Sequence, residues 1–232
     1  MKRNFVILLL LIAPLYSQNN FSDKTFHFGL KLGANFAHIV GAENSEGRFT
    51  EAHSKFGPAI GVIFDKKISR LTSLQGEILY NDVGSKWQQP WFGIGWSGNY
   101  AIYKLKYITV PVYVKISNEL GSFLDNFDLI LGASYSYNIS AKQEILIEAD
   151  GYAPDYGPEN IKDDINPHEA GILFGIKIPY NKKRRKVYIN IQFYWALTHL
   201  YKSNAVIYPD GVQDLDKLKS RNLSISLEYF FK

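Results

Sequence analysis

The sequence predicts an all-β protein: an eight-stranded antiparallel up-and-down transmembrane β-barrel with short periplasmic turns and long extracellular loops. Three observations lead there. Period-two alternation of apolar and polar residues recurs about eight times along the chain. The connections between those runs alternate short and long, as they do in outer-membrane barrels. The apolar faces are almost pure Phe, Ile, Leu and Val, whereas the polar faces carry Lys, Glu, Asp, Asn, Gly and Ser. A soluble barrel fills its interior with apolar side chains, but eight strands enclose too little space for 16 Tyr and 15 Phe. The oily face therefore points outward, to lipid, and the polar face inward.

The chain opens on "MKRNFVILLLLIAPLYSQNN". Lys2 and Arg3 precede an apolar run, Phe5 to Ala13, far shorter than the roughly 20 residues of a spanning helix. Residues 1–17 read as an export signal cleaved after Ser17, residues 18–25 as a short periplasmic segment, and residues 26–232 as the barrel. The first strand, "FHFGLKLGANF", sets Phe26, Phe28, Leu30, Leu32, Ala34 and Phe36 against His27, Gly29, Lys31, Gly33 and Asn35. Residues 55–65 set Phe56, Pro58, Ile60, Val62 and Phe64 against Gly57, Ala59 and Gly61. Residues 71–83 oppose Leu74, Ile78 and Tyr80 to Ser73, Gln75, Glu77 and Asn81. Residues 103–116 oppose Ile108, Val110, Val112, Val114 and Ile116 to Tyr107, Thr109, Pro111, Tyr113 and Lys115.

The second half keeps the rhythm. Residues 127–140 set Phe127, Leu129, Leu131, Ala133, Tyr135 and Tyr137 against Asp128, Gly132, Ser134, Ser136 and Asn138. Residues 169–179 oppose Ile172, Phe174, Ile176 and Ile178 to Gly171, Leu173, Gly175 and Lys177. Residues 186–199 oppose Val187, Ile189, Ile191, Phe193, Trp195 and Leu197 to Tyr188, Asn190, Gln192 and Tyr194. Residues 221–231 oppose Leu223, Ile225, Leu227, Tyr229 and Phe231 to Asn222, Ser224, Ser226 and Glu228. Short connections fall near 66–70, 117–126 and 180–185, and long ones at 40–54, 84–102, 141–168 and 200–220. With both termini periplasmic, the long ones face outward.

Composition removes several function classes. There is no cysteine, hence no disulfide, thiolate metal site, Cys nucleophile or lipidated N-terminal Cys. The chain carries 26 basic against 22 acidic residues, and removing Lys2 and Arg3 halves the excess. That balance gives no case for nucleic acid, and "KKRRK" at 182–186 sits in an inward turn of an exported barrel. No phosphate loop, dinucleotide fingerprint or G-x-S-x-G occurs.

The opening strand "FGLKLGANFAHI", the stretch "GPAIGVIF", the Pro-containing strand "YITVPVYVKI" and the aromatic end "SLEYFF" together resemble the PorT-like outer-membrane β-barrel family of gram-negative bacteria. The resemblance spans nearly the whole mature chain. It implies an eight-stranded barrel in the outer membrane, and the family's named member takes part in protein secretion.

Four groups of residues are candidates for a function. Lys31, Glu77, Lys115, Asp128, Lys177 and Glu228 share the inward face, and form either an ion path or, as expected of so small a barrel, a packed salt-bridge network filling the lumen. In "KWQQPWFGIGWSGNY", Trp87, Trp91, Phe92, Trp96 and Tyr100 form either an aromatic platform for a glycan or protein ligand or an aromatic girdle at the headgroups. His199 and Ser203 share a strand parity at the rim, which raises a lipid hydrolase, although nothing marks an orienting acid or oxyanion hole. The acidic stretch 144–167 holds no calcium-loop pattern, and no His spacing suits a metal, so neither metal nor cofactor is expected.

The expected function is that of a non-enzymatic integral outer-membrane protein with a surface-binding or envelope- and secretion-support role. A narrow passive channel and a lipid hydrolase stand behind it. The expected partners are outer-membrane lipids, lipopolysaccharide, the barrel assembly machinery and a glycan or protein at the extracellular loops.

Overall fold

The computed structural model describes residues 26–40, 52–69, 71–88, 99–117, 127–147, 156–180, 186–202 and 218–231. The proposed signal, residues 1–17, and the segment 18–25 lie outside the described residues. Among the described residues nine strands run in chain order: β1 Phe26–Val40, β2 Ala52–Lys67, β3 Thr72–Gln88, β4 Asn99–Ser117, β5 Asp128–Ile147, β6 Tyr156–Asn160, β7 His168–Pro179, β8 Val187–Ala196 and β9 Lys219–Phe230. All pairings are antiparallel. Each of the eight long strands pairs with its neighbours, β5 with both β4 and β7, and β1 closes on β9 (Lys31 opposite Glu228, Phe36 opposite Leu223). The result is a closed eight-stranded barrel. Closure satisfies the backbone groups that lipid cannot.

The short β6 is additional. It pairs with β5 above the barrel, where Lys142 faces Asn160. It occupies part of the 141–168 connection, which sequence alternation left without structure. The walls are also unequal. β4 and β5 run for 19 and 20 residues, against 12 for β7 and 10 for β8. Much of the expected loops at 84–102 and 141–168 is thus hydrogen-bonded ladder that rises past the rest of the rim.

Two irregularities mark the level where the tall wall begins. The β2–β3 register shifts between Ser54 and Ala59, and the β4–β5 register shifts between Lys106 and Tyr107. Bulges at a barrel rim bend the strand and re-aim side chains. Gly84, between these sites, has φ +146°, a conformation closed to other residues, and a Cβ there would lie 1.9 Å from the Tyr103 carbonyl oxygen.

Burial follows the alternation. Leu30, Leu32, Ile60, Val112, Leu131, Phe174 and Leu227 are exposed on the outer surface, while Lys31, Asn35, Glu77, Lys177, Asn190 and Glu228 are at most 1% exposed. That inversion of the soluble pattern is the signature of a lipid-facing barrel. At the inner end Phe28 stacks on Phe231 and meets Phe64 at a tilt, which ties β1 to β2 and to the segment after β9.

Candidate functional site

The lumen is filled in layers, and alternation alone decides which residues enter it. At the inner end, Ile63, Tyr188 and Phe230 pack together as a buried cluster. Lys115 sits 5.5 Å and 5.7 Å from the Tyr188 and Phe230 ring centres and donates to Asp65 Oδ1 at 2.9 Å. Asp65 was absent from the sequence-derived set, although it shares parity with Gly57, Ala59 and Gly61 on β2.

Above this lies the charge layer. Lys31 Nζ donates to Glu77 Oε2 (2.9 Å) and to Gln192 Oε1 (2.7 Å), and stands 3.6 Å from Glu228 Oε1. Lys177 Nζ donates to Gln75 Oε1 (2.7 Å) and to Glu228 Oε2, and lies 5.1 Å from the Tyr113 ring centre. Glu77 also accepts from Gln75 Nε2 (2.9 Å) and from the Tyr113 hydroxyl, and Glu228 accepts from Asn190 Nδ2. Each carboxylate thus holds several charge-assisted hydrogen bonds, the condition under which buried charge is tolerated. Six strands contribute: β1, β3, β4, β7, β8 and β9.

Asp128 stands apart. It is buried opposite Lys177 in the β5–β7 register, yet its Oδ2 has no hydrogen-bond partner among the described residues, because the Lys177 ammonium turns to Gln75 and Glu228. The structure therefore brings together Lys31, Glu77, Lys177 and Glu228, with Lys115 on its own partner Asp65.

Next comes a cavity of about 60 Å³ lined by Asn35, Asn81, Ser136 and Glu169 together with the apolar Leu79, Leu105 and Leu173. Asn35 links Asn81 and Asn222, each at 3.1 Å, and Ser220 Oγ donates to Glu169 Oε2 at 2.7 Å. A cavity of this size takes a few waters and no larger solute. Glu169 escaped the sequence reading, although its parity with Gly171 and Lys177 points it inward.

The outermost layer is apolar. Ala37, Ile39, Val83, Tyr103, Leu105, Tyr107 and Ala141 on the barrel wall pack against Ile161, Ile165, Leu200, Tyr201 and Leu218 from the connecting segments. Backbone hydrogen bonds stitch those segments over the mouth: Asn166 N to Leu200 O (2.7 Å), Leu200 N to Leu218 O (2.7 Å) and Lys202 N to Asp164 O (3.0 Å). Ile165 also bridges Tyr201 in antiparallel fashion.

The other sequence candidates are dispersed. Trp87 and Tyr100 belong to the paired ends of β3 and β4, opposite Ala101 and Gln88. Trp91, Phe92 and Trp96 lie outside the described residues. His199 is exposed, and Ser203 is outside the described residues. Of the acidic stretch, Glu144 pairs with Lys104, Asp163 and Asp164 belong to the cap, and Glu159 lies in β6. Among the described residues, no group of three or more His, Asp or Glu could hold a metal ion.

A family model described as outer membrane protein beta-barrel domain matches residues 16–202. The chain belongs to that family. It is an outer-membrane β-barrel protein, and its outward apolar belt lies in the outer membrane. Among solved structures it is similar to neisserial surface protein A (14% identity, 88% of this chain and 97% of that one, TM-score 0.44). It is also similar to the attachment invasion locus protein Ail of Yersinia pestis (9% identity, 89% and 99%, TM-score 0.42) and to outer membrane protein W of E. coli (12% identity, 88% and 97%, TM-score 0.38). No curated protein sequence matches the chain.

Proposed function

We propose that this barrel is a closed, non-enzymatic outer-membrane protein that acts through its extracellular surface, in binding a glycan or protein or in supporting the envelope and its secretion machinery. The observation that carries this reading is the filled lumen. A paired charge layer spans six strands, and an apolar cap covers the mouth. A passive channel needs a continuous wet path, and both layers stand in its way. The rim His199 is exposed, and its candidate nucleophile Ser203 lies outside the described residues, so nothing among the described residues favours a hydrolase. The PorT-like sequence features favour the secretion-support branch. Residues 1–17 act in this reading as a cleaved signal that delivers the chain to the barrel assembly machinery.

The tryptophan stretch is the proposed contact surface. Truncating an aromatic anchor at a binding hot spot typically costs about 2 kcal/mol or more, roughly thirtyfold in affinity. Trp91→Ala with Trp96→Ala should therefore abolish binding of whole cells to glycan or protein arrays while barrel melting stays unchanged. Lower melting with intact binding would make these residues membrane anchors and remove the proposed site.

A further inference from the structure

On the outer face of the tall wall, three lysines stand together directly above the lipid belt. The outward residues of β4 climb through Ile116, Val114, Val112, Val110 and Ile108 and then change to Lys106 and Lys104. Lys142 of β5 lies directly opposite Lys104 in the ladder and points to the same side. Like charges directly opposite each other across a ladder destabilise it. One carboxylate relieves the strain, since Glu144 pairs with Lys104. Asp82, opposite Lys106, is taken by Lys55. Lys106 and Lys142 are exposed and have no ion pair among the described residues. Gly84, opposite Lys104, puts no side chain of its own on the wall, and the Lys55 stem packs beside it on the way to Asp82.

We propose that Lys104, Lys106 and Lys142 form a docking site for the phosphate groups of an anionic outer-leaflet lipid. The placement argues for a lipid rather than a soluble anion. Lys106 follows Ile108 with one intervening residue, so its ammonium lies where acyl chains give way to headgroups, and a lipid seated there covers the Ile108 and Val110 surface with its chains. Basic side chains at that level attract anionic headgroups. The site is separate from the loops and does not depend on what they bind.

The test uses the full-length folded barrel in dodecyl maltoside micelles, with native mass spectrometry counting bound lipid. The probes are bisphosphorylated lipid A and the same lipid stripped of both phosphates. The variants are Lys106→Gln/Lys142→Gln and, for equal charge loss at the inner end, Lys66→Gln/Lys67→Gln. Heat-modifiable migration on gels checks folding, and the single Lys142→Gln serves if the double variant fails that check. The bisphosphorylated lipid should bind at least tenfold more tightly than the stripped one. Each lysine removed from the wall should cost about fivefold, on the order of twenty-fivefold for the pair, with the inner-end variant unchanged. Equal retention of the two lipids would overturn the proposal, as would equal losses in the two double variants. Full displacement of lipid by millimolar inorganic phosphate would reassign the site to a soluble anion.

Discussion

The lumen is closed twice, by opposite means. The charge layer is built from strand residues: Lys31, Glu77, Lys177 and Glu228 sit on walls that cannot separate without opening the barrel. The cap is built largely from connecting segments, where Ile161, Ile165, Leu200 and Tyr201 are held by apolar contact and a few backbone hydrogen bonds. The first closure is inseparable from folding. The second can open locally while the barrel stays intact, because segments with few backbone partners open at lower free energy than core strands. Burying charge makes the inner plug costly to disturb, and burying apolar surface in loops makes the outer plug cheap to lift.

Breaking the charge layer should have the largest effect. Glu228→Ala leaves Lys177 and Asn190 without their carboxylate acceptor, and removing one partner of a buried pair costs about 3–5 kcal/mol. Urea unfolding in detergent, followed by the heat-modifiable shift, should show a midpoint well below that of the unaltered protein. A double variant, Glu228→Leu with Lys177→Met, should recover most of the loss, because an apolar pair of similar volume removes the unpaired charge.

A smaller change tests the same layer from its edge. Tyr113→Phe removes one donor from Glu77, which keeps Lys31 and Gln75. A hydrogen bond to a charged group is worth about 1.5–3 kcal/mol. The unfolding midpoint should fall by less than in Glu228→Ala, and the two losses should fail to add in the double variant, since both act on one network.

The cap should give the smallest global effect. Ile165→Asp with Leu200→Asp places charge in the apolar cluster and releases the segments over the mouth. Hydrogen exchange at the amides of Asn166 and Lys202 should quicken at least tenfold, while the barrel's unfolding shifts by less than about 1 kcal/mol. A loss as large as that of Glu228→Ala would mean that the cap folds with the strands.

Strand parity was legible throughout, because a side-chain period of two leaves no choice of face once lipid takes one side. It placed Lys31, Glu77, Lys115, Asp128, Lys177 and Glu228 on the inward face, and it would have placed Asp65 and Glu169 there had every inward position been read. Pairing was not legible. Lys31 meets Glu228 because β1 closes on β9, and it meets Glu77 across β2, facts of register and closure that no local pattern holds. The fate of Asp128 shows the same limit, since its cross-strand lysine has better acceptors elsewhere. The apolar cap was illegible for another reason. Leu105 breaks the polar face of its strand, and Ile161, Ile165 and Leu200 lie in connections, so their shared purpose appears only when the connections fold back over the mouth. The extra height of β4 and β5 was hidden because the pattern inverts above the membrane, where Tyr103 and Leu105 face inward and Lys104 and Lys106 face outward.

Planar-bilayer recording of the purified barrel tests the closed lumen most directly. No steady openings are expected from the unaltered protein and none from Ile165→Asp/Leu200→Asp, because the charge layer still blocks the path when the cap is lifted. Large, stable, ohmic conductance from the unaltered barrel would contradict the closed lumen and make it a channel.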